Sequence, residues 1–356
     1  MVTDASGNVS FGGTAAMSSS FLRNRIINGD MRVFQRGAVA TTNAVYSVDR
    51  WALGFTSTGT TQLSQSQVFP TGFTDSLIFD VGTADTSIAA SEFAFMFQHI
   101  EGNNISDLSW GGANAKSVTL SFWVYTTTIG TFCVTLRNAP ATLSYIAEYT
   151  VSVANTWEYK TVTVPGPTTG TWATNNATGL IVGFTVAVGT TFQTTANAWN
   201  AGNFLGTSNQ VNLLASSANE FRVTGVQLEV GTVATPFERQ IYSNQLAQCQ
   251  RYYGKTFLSG TAPAQNIGVT ASLFACSYTV NQPIAVNWKY PATMRTAPTI
   301  TTYSPDNASA NWSTQGGSRP TVAVQSIGDQ GVSIRGTTAV LVNASYEIHA
   351  AADAEL

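Results

Sequence analysis

The sequence predicts an all-β protein: a jelly-roll β-sandwich, a short helical joint and a smaller C-terminal β-sandwich module. Three observations predict it. Apolar residues alternate with polar ones over many short segments, turns rich in Gly, Asn, Asp and Pro separate these segments, and helical periodicity is nearly absent. Charged residues make up only 10% of the chain, far below ordinary soluble domains. So few charges leave exposed strand edges poorly protected, which predicts edges covered in an oligomer.

Alternating apolar positions place the strands. In the sandwich they predict strands over 77–81, 93–97, 118–124, 132–136, 145–153, 157–164 and 180–188. In the C-terminal module they predict strands over 269–275, 285–288, 299–303, 321–324, 332–334 and 339–348. The chain therefore divides into an N-terminal arm at 1–20, the sandwich at 21–238, the joint at 239–254 and the C-terminal module at 255–356.

Residues 220–253 read EFRVTGVQLEVGTVATPFERQIYSNQLAQCQRYY and connect the two β regions. They begin as a strand, because Val226 and Leu228 alternate with Gln227 and Glu229. This period of two is typical of a strand with one buried and one solvated face. A bend containing a proline follows the strand.

A helix is predicted after that bend, from about Ile241. Ser243 or Asn244 would cap its N-terminus, and Gly254 would end it.

Charges concentrate near the start of the sandwich, at Asp30, Arg32, Arg36, Asp49 and Arg50. Because buried charges need partners, arginine–carboxylate pairs that lock the start of the sandwich are one interpretation. Contact with a ligand is the other. The adjacent Trp51 is expected in the core.

Aromatic side chains provide the candidate binding residues. Trp123 and Tyr125 lie opposite the aliphatic face of the strand 118–124 and suit a platform on which sugar rings stack. The alternative is that a loop or a neighbouring subunit covers this second face. Trp110, Trp172 and Trp199 lie in loops and are further candidates for binding or for an interface.

Short motifs carry a family resemblance. They are INGD-R-F-QRG with Y-DRW within residues 27–51, GVQLE-G-ATPFE within 225–238, L-CQRYY within 246–253, P-x-x-MR-x-x-P at 291–298 and ADAEL at 352–356. Together they resemble bacteriophage tail-fibre and adhesin proteins, whose jelly-roll module is related to carbohydrate-binding modules. SGNVSFGGT at 6–14 resembles the segments that precede such modules.

The resemblance implies a virion protein of the tail or capsid, assembled in the host cytoplasm. It would bind a host-surface glycan or receptor without catalysis and form a homotrimer. Residues 1–20 would attach to other virion proteins, or else form a loose terminus. The helix would place Leu246 and Cys249 near the threefold axis, or else lie between the β modules of its own chain.

Two other functions stay open. The first is a capsid decoration, head fibre or tail adaptor that binds only virion proteins. The second is a polysaccharide depolymerase, which needs only two suitably spaced carboxylates.

Several classes of function are disfavoured. Only 16 Lys and Arg, with a net charge of −3, argue against nucleic-acid binding. No apolar run is long enough for membrane insertion, and the first residues do not form a secretory signal. The two histidines are far apart, and no motif predicts a cofactor or a metal site.

Carbohydrate-binding jelly rolls often hold a structural calcium ion, but Met31 and Arg32 replace the expected acid, so that site is predicted to be absent, while a calcium ion elsewhere stays open. Cys133, Cys249 and Cys276 have apolar neighbours and are predicted to be buried, reduced thiols.

Overall fold

The computed structural model describes residues 2–3, 9–10, 23–279, 281–314, 319–336 and 344–356. Its strands are β1 (Val2–Thr3), β2 (Val9–Ser10), β3 (Val45–Tyr46), β4 (Ala52–Phe55), β5 (Thr60–Ser66), β6 (Ser76–Thr83), β7 (Phe93–Glu101), β8 (Val118–Thr126), β9 (Gly130–Arg137), β10 (Leu143–Val151), β11 (Glu158–Val164), β12 (Thr178–Val188), β13 (Trp199–Ala201), β14 (Glu220–Val230), β15 (Tyr253–Lys255), β16 (Leu273–Ser277), β17 (Ile284–Lys289), β18 (Thr299–Tyr303), β19 (Val322–Gln325), β20 (Gly331–Gly336) and β21 (Ala344–Asp353). The α-helix of the described residues is α1 (Tyr242–Gln250), and short 3-10 helices cover Gly102–Asn104, Ser106–Leu108, Thr190–Phe192 and Leu213–Ala215. Apart from the β1–β2 pair, the predicted arm lies outside the described residues.

Two antiparallel sheets form a sandwich of the jelly-roll type, as the sequence predicts. The seven-stranded sheet has the order β13-β10-β9-β12-β7-β4-β3, and the five-stranded sheet has the order β11-β8-β14-β6-β5. The chain crosses between them repeatedly, since β8 and β9 lie in different sheets. We call these two sheets the sandwich.

The core of the sandwich lies between the inner faces of its two sheets. On β8 the alternating Val118, Leu120, Phe122 and Val124 are fully buried. The Phe122 ring meets the Phe184 ring of the opposite sheet edge-on, with 4.9 Å between ring centres. Trp51 is also fully buried in this core and donates its indole N–H to the carbonyl of Asn28 at 3.1 Å.

The C-terminal module contains two smaller antiparallel sheets around a second core. In one sheet β21 is flanked by β15, β16 and β18, and the other has the order β17-β20-β19. Side chains from both sheets meet in this core, among them Trp288, Ile334, Tyr346 and Ile348. This is the smaller β-sandwich that the sequence predicts.

The prediction of a half-buried β14 is wrong, because both faces of this strand are buried. Gln227 and Glu229, expected in solvent, are 0% and 2% exposed. The segment after the strand folds back over them. The Thr235 amide and hydroxyl donate to Glu229 at 2.8 and 2.6 Å, and the Glu238 amide donates to Gln227 at 2.7 Å. Alternation reveals side-chain polarity but not the later covering of a polar face.

The predicted helix exists and begins as predicted, near Ile241, but its predicted cap residues and its predicted end are wrong. Its N-cap is Ile241, without a side-chain cap, and the helix ends near Gln250. Gly254 instead lies in β15, which pairs with β21. Pairing with a strand nearly a hundred residues away ends the helix early, and local capping signals cannot reveal this.

The position of the helix answers the question of the threefold axis for Cys249 but not for Leu246, which is half-buried. Cys249 is fully buried within its own chain, and Gln245 of the same helix donates to Asp30 of the sandwich at 2.6 Å. The helix therefore lies against its own chain, so Cys249 is not available to pack at a threefold axis.

The prediction for the thiols is wrong at one position. Cys133 and Cys249 are buried, whereas Cys276 is exposed. Alternation along β16 turns Ala275 inward and Cys276 outward.

Within the sandwich, strand prediction also missed four short or polar strands, namely β3, β4, β5 and β13. These have few alternating apolar residues, and β3 and β13 lie at sheet edges.

Candidate functional site

The outer face of the five-stranded sheet carries an aromatic cluster. Trp123 and Tyr125 of β8 point away from the core and are half-buried. Tyr159 on the adjacent β11 lies directly opposite Trp123, with 5.4 Å between ring centres. The Trp157 ring lies 5.6 Å from the Tyr125 ring. We call Trp123, Tyr125, Trp157 and Tyr159 the platform.

A loop covers only half of this outer face, so the alternative of a covered second face holds for that half, and the sugar-stacking platform stays a prediction. Thr119 and Ser121 are 1% and 2% exposed beneath the segment that follows β14. The Thr119 hydroxyl donates to the Gly231 carbonyl of that segment at 2.9 Å. The platform lies beyond this cover, and its Tyr159 ring is 45% exposed.

Gly225 marks the border between the covered and the open half. The register of β14 against β8 shifts between Thr224 and Gln227, and Gly225 has a φ of 62°. A Cβ at Gly225 would lie 2.6 Å from the Phe73 ring and 3.2 Å from the Trp123 ring. The bulge therefore needs glycine both for its backbone and for the rings packed over it.

Three polar groups at the edges of the platform rings form no hydrogen bond with the described residues. No described residue accepts a hydrogen bond from the indole N–H of Trp123 or Trp157, or bonds with the Tyr159 hydroxyl. Tyr125 is the exception, since its hydroxyl donates to Asn155 at 3.2 Å. Flat apolar rings with free donors at the edge are the chemistry that sugar rings require.

Charged residues border the platform at its Tyr125 end. The Arg222 guanidinium lies 5.6 Å from the Tyr125 ring centre and donates to both oxygens of Glu220, at 3.1 and 2.7 Å. Its remaining terminal nitrogen donates to the Ser66 hydroxyl. Asp80 lies directly opposite Glu220 on β6 and is exposed. Partial burial and the neighbouring Glu220 raise the pKa of Asp80 above its ordinary value.

The structure places Trp110, Trp172 and Trp199 together but away from the platform, and the prediction of a loop is wrong for Trp199, which begins β13. Their ring centres lie 4.8 to 5.7 Å apart. Each indole N–H donates to a backbone carbonyl of the chain, those of Lys116, Thr169 and Pro165 respectively. Trp110 is only 9% exposed. With their donors occupied and their faces packed together, these rings close one end of the sandwich.

The charges near the start of the sandwich have unexpected partners. Only Arg32 pairs locally, with Asp30 at 3.7 Å. Arg36 pairs with Asp353 at 3.0 Å and Arg50 pairs with Glu355. These arginines therefore connect the sandwich to the last residues of the C-terminal module instead of closing the sandwich on itself.

Further contacts complete this connection, which we call the junction. Glu101 of β7 accepts hydrogen bonds from Arg251 at 2.9 and 2.7 Å and from the Tyr252 hydroxyl at 2.8 Å. Arg295 donates to the carbonyls of Ala354 and Glu355, at 2.9 and 3.0 Å. Four of the motifs that carry the family resemblance, those within 27–51, 246–253, 291–298 and 352–356, therefore meet at the junction.

Asp49 is fully buried at the junction and has no arginine partner at ion-pair distance among the described residues. Gln35 holds it instead, with its amide at 2.6 Å and its side chain at 2.7 Å. Burial raises the pKa of Asp49, against the lowering effects of Arg36 and these hydrogen bonds. Neither Asp49 nor Arg50 is open to a ligand, since each is 1% exposed.

The described residues contain no cluster of three His, Cys, Asp or Glu side chains suited to a metal ion. Nor does any helix among them reach the length and apolarity needed to cross a membrane.

Sequence reasoning missed two of the four platform residues. Trp157 and Tyr159 were assigned only to a strand, because nothing in a single sequence pairs them with Trp123 and Tyr125. One signal was available in the sequence: two predicted strands each carry two aromatic residues with a single residue between them, and such side chains lie on one face of a strand.

Comparisons with known proteins identify no family. No family model and no curated protein matches the chain. Among solved structures, the enzymatically active domain of tailspike protein 4 from bacteriophage CBA120 matches with 14% identity over 60% of this chain and 22% of that chain, with a TM-score of 0.34. The C-terminal family 22 carbohydrate-binding module of Clostridium thermocellum Xyn10B matches with 16% identity over 56% of this chain and 98% of the module, with a TM-score of 0.29. A family 11 carbohydrate-binding module from Clostridium thermocellum, in complex with a β-1,3-1,4-mixed-linked tetrasaccharide, matches with 11% identity over 55% and 98% of the two chains, with a TM-score of 0.26.

The chain thus spans less than a quarter of the tailspike chain that it matches. TM-scores this low assign neither a ligand nor an activity to this chain.

Proposed function

We propose that this protein is an adhesin that binds glycans through the platform without making or breaking a covalent bond. The observation that carries the proposal is the platform itself, in which Trp123 packs on Tyr159 and Tyr125 packs on Trp157 on the outer face of the sandwich. No described residue forms a hydrogen bond with the two indole N–H groups or with the Tyr159 hydroxyl. Binding at such a site depends on ring stacking and edge hydrogen bonds. Several copies acting together would compensate for a weak single site.

We further propose that the protein is a phage tail fibre or a similar virion appendage. The support is the set of motifs quoted above, four of which, at 27–51, 246–253, 291–298 and 352–356, have residues in the junction. In this proposal the protein is a homotrimer, and residues 1–20 attach it to other virion proteins. The division into arm, sandwich, joint and C-terminal module belongs to the same proposal.

A capsid decoration or tail adaptor is the second candidate, because the junction alone would serve a purely structural protein equally well. The two candidates differ at the platform. Replacing the platform rings would leave the function of a decoration protein unchanged, whereas an adhesin would no longer bind its ligand.

The test is adsorption to intact bacteria of the host type and to their extracted surface polysaccharide. Wild type should adsorb saturably, Trp123→Ala should lose most of this adsorption, and no reducing sugar should be released on prolonged incubation. Native mass measured in the same sample tests the trimer. A folded wild-type protein that adsorbs to neither material would favour the decoration protein, and release of reducing sugar would establish a depolymerase instead.

A further inference from the structure

The charged border of the platform determines what kind of glycan it accepts. Arg222 of β14 lies directly opposite Tyr125 of β8, and Glu220 with Asp80 of β6 forms the pair two residues further along. A chain that lies on Tyr125 and Trp157 and runs obliquely across β8, β14 and β6 therefore passes over Arg222 and then over Glu220 and Asp80. Neighbouring strands are about 4.8 Å apart, so these groups lie within reach of a ligand longer than one sugar unit.

The arginine of this border is already paired with a carboxylate. Arg222 donates to Glu220 through two nitrogens and to Ser66 through the third, and its side chain is only 11% exposed. Glu220 neutralises the charge of Arg222, and a ligand carboxylate or sulfate that approaches the remaining N–H groups meets the Glu220 carboxylate as a like charge.

Asp80 adds a negative charge to the same border. Its carboxylate is exposed beside Glu220 and forms no ion pair among the described residues. Counting Arg222 as +1 and Glu220 and Asp80 as −1 each, the border carries a net charge of −1. A carboxylate accepts hydrogen bonds from sugar hydroxyls but repels an acidic sugar.

We infer that the platform selects neutral, hydroxyl-rich polysaccharides and rejects acidic ones, with Asp80 and Glu220 as the residues that discriminate. The inference rests on the glycan-binding function proposed above. The role of Glu220 is to occupy Arg222, and the role of Asp80 is to accept hydroxyl groups while excluding negative charge.

Two substitutions separate these roles. Glu220→Gln releases Arg222 and should give measurable binding to acidic polysaccharide, an increase of about tenfold or more over wild type. Asp80→Asn leaves the Arg222–Glu220 pair intact and should relax the rejection of acidic chains by a smaller factor.

The control is Asp306→Asn in the C-terminal module. Asp306 pairs with Arg319, so this variant also changes the net charge by one unit and also releases an arginine, but far from the platform. It should behave as wild type with both classes of polysaccharide.

The experiment is affinity electrophoresis in native gels that contain either neutral polymers (amylose, galactomannan, xylan and a β-1,3-glucan) or acidic ones (polygalacturonate, alginate and hyaluronate). Wild type retarded by at least one neutral polymer and by no acidic polymer, with retardation by an acidic polymer gained in Glu220→Gln, supports the inference. Circular dichroism confirms that each variant is folded.

Three results would overturn it. If acidic polymers retard wild type but not Trp123→Ala, the platform binds acidic glycans, which refutes the selectivity but leaves the glycan-binding function in place. A folded Glu220→Gln that gains nothing refutes the role of the Arg222–Glu220 pair. Wild type that is retarded by no polymer of either class removes the proposed function, and this inference with it.

Discussion

The guanidinium carbon of Arg50 lies 3.5 Å from the centre of the Tyr252 ring. The same guanidinium donates to the His99 carbonyl at 2.5 Å and pairs with Glu355. One buried side chain thus contacts the sandwich, the end of the helical joint and the last residues of the C-terminal module. A planar guanidinium stacks and donates in several directions at once, which the ammonium of lysine cannot do.

Arg50→Lys should therefore destabilise the protein although it conserves charge. We expect the free energy of unfolding to fall by about 2 kcal/mol, since a buried stack and part of a hydrogen-bond network are lost. Urea unfolding monitored by tryptophan fluorescence measures this. Arg319→Lys, at a partly exposed ion pair with Asp306, is the matched control and should change stability by less than about 1 kcal/mol. Equal midpoints for the two variants would show that the junction does not depend on Arg50.

Gly225→Ala should disturb both the fold and the platform. Its φ of 62° disfavours a Cβ, and that Cβ would meet the Phe73 ring at 2.6 Å and the Trp123 ring at 3.2 Å. We expect a loss of about 1–3 kcal/mol of stability and weaker polysaccharide binding by the folded fraction.

Gly231→Ala separates the two effects. Gly231 also has a positive φ, of 119°, but nothing lies within 4 Å of its added Cβ. This variant should lose stability and keep its affinity. If Gly225→Ala kept full affinity as well, the bulge would not position the Trp123 ring.

His99 should make the protein less stable in mild acid. Burial, together with the nearby positive charges of Arg50, Arg137 and Arg295, lowers the pKa of His99 to about 3 from an ordinary value of 6.5. Below pH 6.5 His99 binds a proton in the unfolded chain, but in the folded chain it stays neutral down to about pH 3. The free energy of unfolding therefore falls as the pH is lowered through this window.

His99→Gln should reduce that decline between pH 7 and pH 5, and chemical unfolding at several pH values measures it. His349, whose pKa is lowered by burial, remains in both proteins, so the difference between them isolates His99. Parallel pH profiles for wild type and His99→Gln would contradict the prediction.

The three cysteines should differ in reactivity. Burial raises the pKa of Cys133 to about 11 and also raises that of Cys249, whereas Cys276 is exposed. A thiolate is the reactive species, so Ellman's reagent at pH 8 should titrate one thiol quickly and the other two only after unfolding. Cys276→Ser should abolish the fast phase. A fast phase that persists in Cys276→Ser would mean that the helix or β9 opens readily.

Local patterns were sufficient to predict the strands with regular alternation. The strand containing Val118, Leu120, Phe122 and Val124 could be predicted from the sequence alone, because apolar side chains at every second position lie on one face of a strand. The polar face of β14 could not, since its burial depends on a segment that returns from later in the chain and satisfies Gln227 and Glu229.

The site shows the same division between local and distant information. Trp123 and Tyr125 were candidates from a single strand, but their partners Trp157 and Tyr159 depend on strand pairing. The ion pairs of Arg36 and Arg50 depend on residues some three hundred positions away, at Asp353 and Glu355. Composition predicts that such charges need partners, but it cannot name partners that only the tertiary fold supplies.

The central claim is that the platform binds glycan. Its most direct test is the affinity of wild type, Tyr159→Ala and Tyr278→Ala for the polysaccharide that retards wild type most, measured by isothermal titration calorimetry. Tyr278 is 76% exposed in the C-terminal module, so its removal controls for the loss of an exposed aromatic ring. We expect Tyr159→Ala to bind about tenfold more weakly and Tyr278→Ala to bind as wild type does. Equal affinity in all three proteins would contradict the central claim.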